Sequence, residues 1–176
     1  MAAPAPDRVQ GITHAPGRLA PNTLAATHRR LLALGWYTPQ ALQLMQRVPL
    51  DQDGYCSGHK ACYKGWNGIA FDASFWTSAT WTPMFAVLIL AHEYNHFFDE
   101  YYAQVSSNLE FQRLSAQANS FLGFRNADPV ERYALLGQYP FLFPELRPFY
   151  RQFSDRAYDI HQSWWLRDPL NPARGQ

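Results

Sequence analysis

His92-Glu93-Tyr94-Asn95-His96 sets two imidazoles four residues apart with a carboxylate between them. On an α-helix, residues four apart share a face at roughly 5–6 Å, so both imidazoles can converge on one tetrahedral cation. Glu93, one position after the first histidine, then lies beside the cation and not on it. A carboxylate there can take a proton from water and pass it to a leaving amine. The bland alternative is a pair of buried histidines satisfied by hydrogen bonds. What favours the first reading is helical context: the motif ends the apolar run Pro83 to Ala91, and Thr82-Pro83 opens it. Threonine is a good N-cap, and proline at the first helical position lacks an N–H that would have had no partner anyway.

This HExxH motif at the far end of an apolar helix resembles the zincin superfamily of zinc metallopeptidases. The likeness rests on five motif residues and on an architecture extending over about residues 65–134. It implies an α+β fold, a mainly helical zincin-like domain with a small antiparallel sheet before the HExxH helix. It also implies one Zn²⁺, and a zinc metalloendopeptidase that hydrolyses peptide bonds through a zinc-activated water with Glu93 as general base. In that superfamily the strand ahead of the active-site helix is an edge strand pairing with the substrate backbone. Its counterpart is about Gly68 to Ala73, with Gly68, Ile69, Ala70 and Phe71 as the substrate-binding residues.

A catalytic zinc site needs a third protein ligand beside His92 and His96. Asp99 stands where the metzincin pattern has its turn glycine and Tyr102 where that pattern has its third histidine, so the glutamate-ligand group, the gluzincins, remains. Glu100 follows His96 by one turn, about 6 Å along the same axis, and one straight helix cannot easily wrap three ligands round one ion. Glu110 and Glu145 occupy first-turn positions that the helix dipole explains. Glu131 is the preferred ligand, because Pro129-x-Glu131-x-x-Ala134 is similar to the Pro-x-Glu-x-x-Ala arrangement of many gluzincins. A capping box from Asp128 to Glu131 explains the same residue without a metal. Ser115-Ala116-Gln117-Ala118-Asn119 resembles another gluzincin stretch with Ser115 where the ligand belongs, which keeps open a degenerate zincin acting as a zinc-containing protein-binding module. Asp155, Asp159 and His161 are outside candidates for the site, and His161, Tyr133 and Tyr158 for stabilising an oxyanion.

The elements that must position these groups are legible in outline. With 176 residues, 47% hydrophobic, the chain can bury a real core in one domain. A formal net charge of +1 gives no reason to expect a nucleic-acid partner, and no apolar run approaches the roughly 20 residues of a membrane span. Met1 to Pro21 reads as a flexible arm, 22–166 as the domain and 167–176 as a loose tail. Helices are expected from Leu24 to Gly35, from Pro39 to Val48, through the motif, from Leu109 to Leu122, after Asp128 and after Phe143. Asn67-Gly68 signals a hairpin leading into the strand Ile69 to Asp72. The six tryptophans are expected to fill the core, and His28 to be a solvated surface residue. Cys56 and Cys62, around Gly58, are expected to form a small disulfide loop, which implies a secreted or periplasmic protein; the competing reading is two free thiols, or a metal site with His59 that falls a ligand short.

Overall fold

The computed structural model describes residues 9–10, 23–77, 82–122 and 128–136. The chain forms two compact units, Met1–Tyr94 and Asn95–Gln176, whose boundary falls inside one helix. The fold class is α+β, helices predominating over a small sheet.

In the first unit, α1 (Leu24–Ala33) starts at Thr23, whose hydroxyl accepts the Ala26 N–H at 3.2 Å. Thr38 does the same for Ala41 at 3.3 Å, opening α2 (Pro39–Met45) with Pro39 in its first turn. Both hydroxyls satisfy donors that have no partner within the helix. Leu24, Leu31, Ala41 and Met45 turn inward and are fully buried.

Four short strands, β1 (Val9–Gln10), β2 (Leu50–Asp51), β3 (Ala61–Tyr63) and β4 (Ile69–Phe71), form a sheet in the order β1-β2-β4-β3. It is mixed, which corrects the expected antiparallel sheet: only β3 and β4 are antiparallel, while β2 pairs parallel with both β1 and β4. The reason lies in the connections. β3 and β4 are joined by a hairpin at 64–68, but β2 reaches β4 only after the chain has gone out through the Cys56–Cys62 loop and returned along β3. Within the stretch expected to be an arm, Val9–Gln10 supplies the first strand. At the end of the hairpin, Gly68 has φ +84°, and an added Cβ would collide with the Pro49 carbonyl oxygen, so only glycine fits.

The expected disulfide is present, with Cys56 and Cys62 Cα atoms 5.5 Å apart. Behind the sheet, Phe71 stacks on Trp76 at 5.3 Å between centroids, and Phe75 meets Trp76 edge-on at 5.0 Å. The Trp76 indole N–H donates to the Gln52 carbonyl at 2.9 Å, as a buried indole requires. Trp66 departs from its expected place in the core: the hairpin turn holds it 76% exposed.

The motif helix α3 (Pro83–Phe98) is capped by Thr82, whose hydroxyl accepts the Phe85 N–H at 3.0 Å. In the second unit α3 runs into a wider π-type turn, Asp99–Ala103, closed by Gln104 in the left-handed region at φ 49°. The buried Asp99 carboxylate accepts the Ser106 N–H at 3.1 Å and fixes the exit of the chain. Asn108 caps α4 (Leu109–Leu122) by accepting from Glu110 and Phe111. Asp128 caps α5 (Pro129–Leu136). Phe111 and Tyr133 pack edge-on at 5.9 Å, both buried, and join α4 to α5. No helix among the described residues is long and apolar enough to cross a membrane. The helix expected after Phe143, the tail at 167–176 and most of the arm lie outside the described residues.

Candidate metal centre

An α-helix turns about 100° per residue, so the five residues of the motif are dealt to different directions. His92 and His96 are about 40° apart on one face of α3. Glu93 flanks His96 by roughly 60°, Asn95 flanks His92 on the other side, and Tyr94 points away from the pair. The contacts follow this pattern. Tyr94, fully buried, places its hydroxyl 3.0 Å from His28 Nε2 and 3.0 Å from the Met45 carbonyl. Asn95 donates to the Ala134 carbonyl at 2.9 Å. Glu93 is 7% exposed.

His92, His96 and Glu131 form a cluster, each offering one ligand atom and all three atoms lying within 4.8 Å of one another. His96 Nε2 and Glu131 Oε1 lie 3.3 Å apart, with the imidazole 11% and the carboxylate 47% exposed. A charge-assisted N–H···O bond is shorter, about 2.7–2.9 Å. Two donors at 2.0–2.1 Å from a tetrahedral zinc stand roughly 3.3 Å apart. Donor types and spacing therefore fit a metal ion held by two imidazoles and one carboxylate.

The carboxylate arrives on α5, and the two explanations of Glu131 both describe part of it. Its backbone N–H is capped by Asp128 Oδ1 at 2.9 Å, while its side chain reaches His96. Ser115 on α4 is buried with its hydroxyl on the Gln112 carbonyl at 3.2 Å, turned into its own helix, so α5 and not α4 brings the carboxylate. Glu100, exposed in the π-type turn, and Glu110, in the capped first turn of α4, are not in the cluster. Tyr133 is packed against Phe111 at 1% exposure. Glu145, Asp155, Tyr158, Asp159 and His161 lie outside the described residues.

The stretch expected to receive a peptide is placed differently. β4 is hydrogen-bonded on both sides, to β2 and to β3, so Gly68, Ile69, Ala70 and Phe71 have no free edge to offer. Ile69, Ala70 and Phe71 are at most 1% exposed. The physical cause is the parallel insertion of β4 beside β2, which leaves β3 and β1 as the outer strands among the described residues.

His28 was the residue that its charged neighbours Arg29 and Arg30 disguised. Its ring stacks on Tyr94 at 5.7 Å between centroids, and burial lowers its pKa to about 4. The signal was available, since Leu24, His28 and Leu31 fall on one helical face. A tyrosine hydroxyl has one proton, and here it goes to the Met45 carbonyl, so neutral His28 carries its proton on Nε2 and donates to Tyr94. Burial raises the pKa of Tyr94 well above the usual phenol value, and the nearby Tyr37 adds to it. Both groups stay neutral at physiological pH.

No protein family matches the chain, and no curated protein or solved structure is significantly similar to it. The class established by fold and site is thus an α+β chain with a two-histidine, one-glutamate cluster of metal-binding geometry.

Proposed function

We propose that the protein is a zinc-dependent peptidase in which His92, His96 and Glu131 hold one zinc and Glu93 is the general base. The observation that carries this reading is the convergence of the three donors, with a further carboxylate on the next helical position. Zinc bound there supplies Lewis acidity, polarising a carbonyl and easing the ionisation of water. Glu93 accepts the proton of the attacking water as its oxygen bonds to the peptide carbon. It then delivers that proton to the amine nitrogen as the C–N bond breaks, and is regenerated. Two imidazoles and a carboxylate also suit iron, and the adjacent Glu93 is what favours hydrolysis.

The substrate class is a peptide or protein. The Cys56–Cys62 disulfide suits an oxidising compartment, which makes the proposed location secreted or periplasmic. The deciding experiment is Glu93→Gln: shape is kept and the proton acceptor removed, so zinc content and melting temperature should hold while peptide hydrolysis falls by at least about 100-fold. Wild type and variant equally inert across a broad peptide library would make the cluster a zinc-containing binding module.

A further inference from the structure

We infer that Asn95 is a positioning residue that sets the spacing between His96 and Glu131 and so tunes the affinity of the cluster; this rests on the cluster being a metal site. Asn95 is 1% exposed, and its Nδ2 donates to the Ala134 carbonyl at 2.9 Å. A carbonyl oxygen only accepts, so the orientation of the amide is fixed. Ala134 lies in the last turn of α5, where carbonyls have no partner within the helix, and Asn95 supplies one. The opposite end of α5 is fixed by Asp128, which caps the Glu131 N–H. Glu131 sits three residues from each anchor. The bond from Asn95 therefore ties the sequence neighbour of one donor to the turn that follows the other.

The second atom of the amide strengthens the case. Asn95 Oδ1 is buried with no hydrogen-bond partner among the described residues. An unsatisfied buried acceptor costs stability, and an apolar side chain of similar volume would avoid that cost. A polar group kept at such a cost, one residue from a donor to the cluster, is accounted for by the geometry it holds. Groups behind the ligands of metal sites commonly act this way, and their loss lowers affinity by about 10–100-fold.

The test is a zinc titration of the full chain against a competing chelator, on wild type, Asn95→Leu, Asn95→Ala, Glu131→Ala and the Asn95→Leu/Glu131→Ala double variant. Both Asn95 variants should weaken zinc binding by about 10–100-fold. Once Glu131 is gone there is nothing left to position, so Asn95→Leu should then change affinity by less than about threefold. Asn95→Leu fills the vacated volume and decides the matter if Asn95→Ala does not fold. Asn95 variants that bind zinc as wild type does overturn the inference and leave the metal site standing. Equal losses with and without Glu131 overturn it too, since a general distortion of α3 acts in both backgrounds. A wild type that takes up no zinc overturns the inference and the metal reading together.

Discussion

Tyr94 and Asn95 are adjacent, both buried, and belong to different compact units, yet their polar groups are used in opposite ways. The Tyr94 hydroxyl both accepts, from His28, and donates, to Met45, with nothing left over. The Asn95 amide donates to the Ala134 carbonyl while its oxygen has no hydrogen-bond partner among the described residues, and on the same side of the boundary Glu131 keeps a carboxylate 47% exposed beside His96. A saturated buried network resists change, because breaking any member leaves the others unpaired in a low-dielectric interior. A carboxylate 47% exposed beside an imidazole adds little to stability but is accessible to an ion. The difference separates anchoring from chemistry: Tyr94 serves to seat the helix, and the histidines on its other face serve the cluster.

The most severe way to break that distinction is through the ligands. His92→Ala and His96→Ala should each abolish stoichiometric zinc, measured by metal analysis after gel filtration, because a site of three ligands cannot lose one of its two imidazoles. Tyr94→Phe should do the reverse, keeping zinc while costing about 1–3 kcal/mol in a urea melt, since His28 and the Met45 carbonyl both lose their partner. Zinc retained without either histidine, or lost with Tyr94→Phe at unchanged stability, would reverse the assignment of the two faces.

Acidification probes the anchoring side with a comparable energy. The His28 pKa is lowered to about 4 by burial, against an ordinary value near 6.5. Between those values the unfolded chain binds a proton that the folded chain refuses, so stability falls as pH drops from about 6.5 to 4 and is fully present above that window. The contribution is of order 3 kcal/mol. His28→Gln keeps a donor for Tyr94 and does not titrate, so urea midpoints at pH 7 and pH 4.5 should differ less in the variant than in wild type. Equal acid sensitivity in both would mean that other groups govern the loss.

The helices were legible because their ends carry local signals: Thr23, Thr38, Thr82, Asn108 and Asp128 each accept backbone N–H groups at the positions that sequence marks as starts. The cluster was legible for the same kind of reason, since two of its donors are fixed by helical periodicity and the third follows a capped turn. Strand order was not legible. A residue pattern shows which segments extend, but nothing in Leu50-Asp51 or Ile69-Ala70-Phe71 announces that they pair in parallel across a 17-residue excursion between positions 51 and 69. His28 was hidden for a related reason: its partner, Tyr94, is 66 residues away in sequence, and burial is decided by what folds over a residue.

The smallest effect, and the one that sharpens the boundary within a single helix, concerns Asp128 and Glu131. Asp128 accepts the Glu131 N–H at 2.9 Å and touches the cluster only through the backbone, whereas the Glu131 carboxylate faces His96. Asp128→Ala should therefore cost about 0.5–2 kcal/mol of stability, as the loss of an N-cap does, with zinc stoichiometry unchanged. Glu131→Ala should leave the metal-free melting temperature nearly where it was, because a half-exposed carboxylate contributes little to the fold, and should sharply lower zinc affinity. Melting curves with and without zinc separate the two: added zinc should raise the transition of Asp128→Ala by about as much as that of wild type, and hardly move that of Glu131→Ala. A fully stabilising response to zinc in Glu131→Ala would leave this carboxylate with its capping role alone.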